Sequence, residues 1–285
     1  MDSEWSFEFL MRIVLVTADN LEHIYVANKL AEAIPLNRII VDHGRRIGLL
    51  ANARRLWRKY SVEQLCSRVH FAIMTRLWRD EAVGRNSMIA AYGAGNCLQF
   101  SHPELLQHIH GINTAEGVQA VASLNPDVLL IYGTVLVSSR VLSLAKMIAL
   151  NMHTGISPYY RGADCAFWPL YNGELEMVGA TVHECTRDID GGRIFGTARA
   201  RLQLGDDVFS VFARSVMAGA DLYVAKVKEL MAGKLEGVTQ DLSSGREYRA
   251  CERNVAAESA VRKRIQGGLI TNFVNRLSEQ VKTHI

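Results

Sequence analysis

Paired cysteines, a strong excess of one charge and a long apolar run are all missing from this sequence. The five cysteines (Cys66, Cys97, Cys165, Cys185 and Cys251) are odd in number and form no C-x-x-C pair. A reduced, cytoplasmic compartment fits that pattern better than a disulfide framework does. A net charge of +3 over 285 residues is too small to imply a nucleic-acid partner. The longest apolar run, near Val128 to Val137, is broken by Gly133 and is far too short to cross a membrane. The opening MDSEWSFEFLMRIVLV is acidic and has no small-residue cleavage site, so no signal peptide is expected. Internal repeats and low-complexity stretches are absent too. Hydrophobic content of 49% and charged content of 21% are those of an ordinary soluble globular protein. The length suits one large domain, or one domain with an appendage.

The patterned part begins after an N-terminal extension of ten residues. RIVLVT (Arg12 to Thr17) is continuous and β-branched, as a strand covered on both faces should be. A helix over Asn20 to Ala33 and a second buried strand over Arg38 to Val41 complete a βαβ unit, the signal of a parallel sheet. The turn between them, Ala18-Asp19-Asn20-Leu21, has no glycine. A mononucleotide-phosphate cradle is therefore not expected there, because backbone N–H groups must approach the anion closely.

Further along, Leu98 to Phe100 reads as a short strand and Pro103 to Gln107 as a helical turn. Alternation puts His108 and His110 on one face, as a metal pair would need, but no third ligand has a convincing spacing and no metal is expected. A helix over Ala115 to Leu124, capped by Asn113 or Thr114, precedes a strand over Val128 to Tyr132. A short helix runs to Leu144 from a cap at Ser138 or Ser139, and Met147 to Met152 is the next strand. Strands Ala180 to His183 and Ile194 to Ala200 flank the turn at Gly191-Gly192. Asp206 to Met231 is the clearest amphipathic helix, and Ala256 to Gln266 the last, basic one.

Residues 44–96 are basic and amphipathic. Arg45, Arg46, Arg54, Arg55, Arg58, Lys59, Arg68, Arg76, Arg79 and Arg85 alternate with Leu49, Leu50, Trp57, Ile73 and Trp78, among others. Two readings stand: a surface for a phosphorylated substrate, membrane or partner, or solvated helices whose Arg stems cover a sheet edge. The segment is expected to be helical, near the mouth of a site or at a subunit contact.

The most informative stretch runs from Asn151 to Gly192. It opens on Asn151-x-His153, passes through Pro158-x-x-Arg161-Gly162 and Trp168, and closes on Asp190-Gly191-Gly192. An amide, an imidazole and a carboxylate are what acyl transfer to an amine needs: a donor to the acyl oxygen, a proton manager and a fixed charge. On an extended segment Asn151 and His153 leave the same face. The order resembles the central motif of the folate-dependent formyltransferases, over roughly Pro126 to Met231. That family includes glycinamide ribonucleotide, methionyl-tRNA and sugar-nucleotide formyltransferases.

The resemblance implies an α/β fold, a mostly parallel twisted sheet flanked by helices, with a Rossmann-like core. It implies transfer of formyl from N10-formyltetrahydrofolate to a primary amine, with Asn151, His153 and Asp190 catalytic. By the same resemblance Gly133, Thr134, Val135, Leu136 and Ile189 hold the pterin, and Arg161 and Gly162 meet the substrate. The catalytic domain is expected over 11–235, with 44–96 as an inserted helical segment and 236–285 as a C-terminal helical extension.

The acceptor expected first is an amino sugar on a nucleotide carrier. An amino-acid amine such as hydroxyornithine, or glycinamide ribonucleotide, is the alternative, although the glycine-free first turn speaks against the latter. Only about fifty residues follow the long helix, in a helical pattern, so a tRNA-binding barrel is not expected. A small-molecule amine is thus the expected partner, with no nucleic acid and no membrane, and a homodimer left open. The rival from another class is a non-catalytic binding protein that retains the fold.

Overall fold

Every residue of Ile13–Thr17 (β1) is buried, which is what a run of β-branched side chains covered on both faces requires. The computed structural model describes residues 11–282 except 46, 47, 49–53, 55 and 59. The N-terminal extension and Arg46, Leu49, Leu50, Arg55 and Lys59 thus lie outside the described residues. Helix α1 (Leu21–Ala33) starts from a capping box in which Asn20 and His23 satisfy each other's backbone groups. Strand β2 (Leu36–Asp42) then returns parallel to β1.

Helices α2 (Val62–Leu77), α3 (Asp80–Tyr92) and α4 (Ala94–Cys97) follow, so the described part of 62–97 is helical as its pattern predicts. The two long helices differ. No residue of α2 is buried, whereas α3 packs on α1 and on the long helix described below, where Gly84 lies under the ring of Phe209.

Leu98–Phe100 does not form the expected strand. Asn28 of α1 takes the carbonyls of Asn96 and Gln99 and the N–H of Ser101, strapping this stretch to the helix instead. The expected helical turn is a 3-10 turn over Pro103–Leu105, and strand β3 (Leu106–Ile109) replaces its last two residues. His108 leaves β3 to meet His43, Nδ1 to Nε2 at 2.8 Å.

Helix α5 (Ala115–Leu124), strand β4 (Val128–Ile131), helix α6 (Ser139–Leu142) and strand β5 (Ile148–His153) complete the parallel part. Strands β7 (Gly179–Glu184) and β8 (Ile194–Arg199) extend the same sheet antiparallel. Its order is β3-β2-β1-β4-β5-β7-β8, so chain direction across the sheet switches between β1 and β4. Crevices open at the carboxyl ends of strands at such a point.

Alternation along the strands divides the core. Ile13, Leu15, Val128 and Leu130 face one layer with α1, while Val14, Val16, Leu129 and Ile131 face the other with α5. Helix α8 (Val208–Met231) lies over β5 and β7, capped by the Asp207 carboxylate on the N–H groups of Phe209 and Ser210. By length and composition it is apolar enough to cross a bilayer, but its apolar stripe is spent on the sheet.

In the sequence Arg161-Gly162 reads as the end of a loop and Ala163 to Tyr171 as a helix that Pro169 could bend or stop early, and both readings are corrected. Arg161-Gly162 is not a loop end but part of strand β6 (Tyr160–Gly162), paired in parallel with β9 (Arg246–Tyr248). Helix α7 covers only Trp168–Asn172, not Ala163 to Tyr171. Asp164 has a positive φ of 58°, which keeps the preceding turn non-helical, and Pro169 sits in the first turn of α7, where its missing N–H costs nothing. Helices α9 (Val255–Gln266) and α10 (Leu269–Lys282) close the chain, the second unpredicted. They pack with Tyr160, Trp168, Val211 and Tyr248 as a third cluster beside the sheet edge.

Candidate active site

Asn151 and His153 stand on the last residues of β5, two apart and therefore on one face of the sheet, while Met152 between them is buried in the opposite layer. Strand β7 sets His183 directly across from Asn151 and Thr181 across from His153. Thr181 pins the chain beyond β5, donating to Gly155 O at 2.6 Å and accepting from Ser157 N at 3.0 Å. Behind the sheet the Tyr223 hydroxyl accepts from Ile131 N and donates to Leu150 O, bridging β4 and β5 next to Asn151.

Asp190 arrives on the loop between β7 and β8. It is a non-glycine residue at φ 48°, and Gln240 holds that turn by donating to the carbonyls of Asp190 and Gly192. One carboxylate oxygen accepts from Gly162 N at 2.9 Å and lies 3.4 Å from His153 Nδ1. The other lies 3.3 Å from His183 Nε2. Gly162 is required here: its φ is +90°, and a Cβ would stand 2.3 Å from Tyr248 O, driving β6 from β9 and withdrawing the N–H.

The hydrogen bonds assign the rings. His153 Nε2 faces Tyr160 O at 3.0 Å, and a carbonyl only accepts, so this nitrogen carries the hydrogen and Nδ1 faces Asp190. His183 Nδ1 donates to Glu184 O at 2.8 Å, which leaves its Nε2 to accept from Asn151 Nδ2 at 3.1 Å. One amide hydrogen of Asn151 is thereby used and the second remains for a ligand.

Burial would raise the Asp190 carboxyl, but the neighbouring His153 and the Gly162 N–H hold it well below the usual carboxylate range. Burial lowers His153, and the Asp190 charge only partly offsets this. At neutral pH the site is therefore a buried carboxylate beside a neutral imidazole.

These groups open onto a cleft of about 600 Å³. Gly133, Thr134, Val135, Leu136 and Ile189 all line it with Asn151, His153 and Asp190, so the sequence-predicted residues meet in one place. Gly162 lines it as well. Arg161 does not join them: it is 8% exposed, and its guanidinium donates to the carbonyls of Pro158 and Leu242. Cys185 also lines the cleft, but burial and the Asp190 and Glu184 charges push its thiol up to about 12, so no thiolate nucleophile is present at neutral pH. Among the described residues no group of three or more His, Cys, Asp or Glu side chains is arranged to hold a metal.

A sequence family described as formyl transferase matches residues 80–227, about half of the chain. The chain belongs to the formyl transferase family. The methionyl-tRNA formyltransferase of Lacticaseibacillus casei (strain BL23) is 32% identical over 172 residues, 60% of this chain and 52% of that protein. That of Limosilactobacillus fermentum (strain NBRC 3956 / LMG 18251) is 30% identical over 171 residues, 58% of this chain and 52% of that protein. The chain thus spans about half the length of the curated relatives it matches. In fold it is similar to a sugar N-formyltransferase from Shewanella sp FDAARGOS_354, with a TM-score of 0.52 and 14% identity over 85% of this chain and 78% of that one. An N-formyltransferase from Helicobacter canadensis, solved with folinic acid and dTDP-3-aminofucose, has a TM-score of 0.52 and 15% identity over 86% of this chain and 72% of that one.

Three residues lining this cleft were not singled out from the sequence. His183 was visible only as part of a strand, because its tie to Asn151 depends on the β5–β7 register. Tyr248 reaches the cleft from β9, whose partner strand is more than eighty residues earlier. Glu22 lines the cleft from the first turn of α1, where a glutamate is an ordinary helix-start residue.

Proposed function

We propose that this formyl transferase passes a formyl group from N10-formyltetrahydrofolate to a primary amine, and that the acceptor is an amino sugar on a nucleotide carrier. The single observation that carries the reading is the convergence on Asp190 of His153, Gly162 N–H and the His183–Asn151 pair, at one end of the cleft that the apolar loop after β4 lines.

The cleft fits the donor. Val135 is 57% and Leu136 68% exposed on its wall, with Ile189 also exposed, an unusual outlay of apolar surface unless a flat ring covers it. The loop turns at Gly133, whose φ is +65° and where a Cβ would lie 1.9 Å from His23 Nε2, so backbone and ring form a close cradle. Gly133 to Leu136 and Ile189 would hold the pterin. When bound, the formyl folate supplies an activated one-carbon acyl group.

The chain's own residues supply the rest. Asn151 donates its second amide hydrogen to the oxygen on which charge develops, and losing one such donor typically costs about 10²–10³ in rate. As the amine nitrogen bonds to the formyl carbon, His153, neutral with Nδ1 toward Asp190, takes the proton that the amine sheds, holds it as an imidazolium stabilised by the adjacent carboxylate, and returns it to the departing nitrogen as the carbon's bond to that nitrogen breaks. Asp190 stays ionised throughout. The catalytic unit is 11–235, completed by Tyr248 and Arg249 from 236–285.

A nucleotide carrier needs a cation for its phosphates. Arg249 lines the cleft, and its guanidinium makes no hydrogen bond or ion pair among the described residues. Methionyl-tRNA is the second reading, favoured by relatives at 32% identity over about half their length. Mass spectrometry after incubation with formyltetrahydrofolate tests both. A formyl mass gain is expected on dTDP-3-aminofucose and none on methionyl-tRNA. Formylation of methionyl-tRNA alone would reverse the choice of acceptor. No transfer to any amine, with folate bound, would leave only a binding protein.

A further inference from the structure

A second cavity of about 310 Å³ adjoins the cleft, and Glu22, Thr154 and Phe212 line both. Its walls are apolar: Met88 from α3, Phe209 and Phe212 from α8, and Phe167 ahead of α7. One cation lines it. That cation, Arg253, is already committed to Asp164 at 2.7 Å and to Glu258, with its guanidinium 4.4 Å from the centre of the Phe167 ring. This space is therefore ill suited to a phosphate.

The unpartnered charge is an anion. Glu22, in the first turn of α1, has one ionic neighbour, His23 Nδ1 at 3.8 Å. That nitrogen accepts from Asn20 N at 3.3 Å, so it carries no hydrogen to donate to Glu22. Burial keeps the His23 ring neutral. The Glu22 side chain is 15% exposed and has no hydrogen-bonded cation among the described residues. The helix N-terminus offsets part of the cost of a half-buried carboxylate, but not the loss of a counter-charge.

A ligand that brings its own cation resolves the imbalance. Amines arrive as ammonium ions at neutral pH, and Glu22 stands where the donor cleft meets the apolar cavity, beside Thr154, which follows His153. We propose that Glu22 receives the ammonium of the acceptor amine and that the second cavity holds the apolar body to which the amine is attached. This rests on the amine-formylation reading and deepens it. The preferred acceptor then carries a primary ammonium next to an apolar ring face, with its phosphates kept outside the second cavity.

The test uses the full chain, with cyclohexylammonium chloride as the cationic probe, cyclohexanol as its neutral counterpart, and folinic acid for the donor cleft. Affinities are read by ligand-observed NMR and calorimetry, with melting temperatures as the check on folding. Glu22→Gln is expected to weaken cyclohexylammonium roughly 10- to 50-fold, the weight of a charge-assisted contact, and to leave cyclohexanol and folinic acid within about twofold. Glu22→Asp, which keeps the charge but withdraws it, should fall between and serves if the Gln variant is unstable. Equal binding of the ammonium probe by wild type and both variants overturns the proposal. So does a loss confined to folinic acid, which would return Glu22 to the donor side. Failure of wild type to bind folinic acid would instead strike the formyl-transfer reading, and the ammonium comparison would still stand.

Discussion

Two polar constellations of this chain contrast in how they are held. Around Asp190 the carboxylate, two imidazoles, an amide and a backbone N–H hold one another at fixed distances beneath the surface. Around a space of about 740 Å³ between α2 and α3, Arg76, Arg79 and Arg85 are exposed, and none is hydrogen-bonded to a carboxylate among the described residues. Both stood out in the sequence. They differ in what holds them: the first hangs from sheet register and pinned turns, the second from side chains left exposed on α2, on α3 and at the turn between them. Charged side chains in a sequence become a reaction geometry only when the backbone has consumed their freedom. The exposed arginines keep that freedom.

The largest expected effect sharpens this contrast at its rigid end. Asn151→Ala should lower kcat by about 10²–10³ in formyl transfer at saturating folate, with folinic acid affinity unchanged within about twofold. Next comes the exposed cation that faces the cleft. Arg249→Gln should raise KM for dTDP-3-aminofucose about tenfold with kcat preserved, because a phosphate contact made equally in ground and transition states is lost. The smallest effect belongs to the other constellation. Replacing Arg76, Arg79 and Arg85 together by Gln should change KM less than about twofold and stability by no more than about 0.5 kcal/mol per site. A large KM effect there would erase the contrast and make the α2–α3 surface part of the acceptor site.

Titration probes the same difference. His153 is buried neutral, its folded value below the ordinary one, so the unfolded chain takes up this proton first on acidification. Stability should therefore fall as pH drops below about 6.5. Asp190, depressed in the fold, contributes stability above the usual carboxylate range that is lost as pH falls through and below that range. In Asp190→Asn the raising influence on His153 disappears, and its imidazole should titrate at still lower pH by side-chain NMR. The arginine variants should leave the His153 titration where it is.

Much of the frame was legible because it is local. The β-branched run at β1, the helix over Ala115–Leu124 and the Asp207-capped stripe of α8 follow from period, propensity and caps within a dozen or so residues. What escaped depends on partners distant in sequence. β6 exists because β9 lies beside it, the stretch at Leu98 is shaped by Asn28, and His183 matters because the register sets it opposite Asn151. Arg161 shows the converse: it sits in the motif, yet its guanidinium serves Pro158 and Leu242 and holds the C-terminal segment against β6. Asn151, His153 and Asp190 were readable as a set only by resemblance. Nothing local in the sequence brings Asp190 back over β5, a task done by Gln240 and Gly162.

The central claim is that Asn151, His153 and Asp190 act as one unit around the transferred group. A double-mutant cycle on His153→Ala and Asp190→Ala, measured as single-turnover formyl transfer with folinic acid binding in parallel, tests it most directly. The account predicts that each single variant loses two or more orders of magnitude, that the double variant loses little beyond the worse single one, and that folinic acid affinity holds. Full activity in Asp190→Ala, additive losses in the double variant, or a loss explained wholly by weaker folinic acid binding would contradict it.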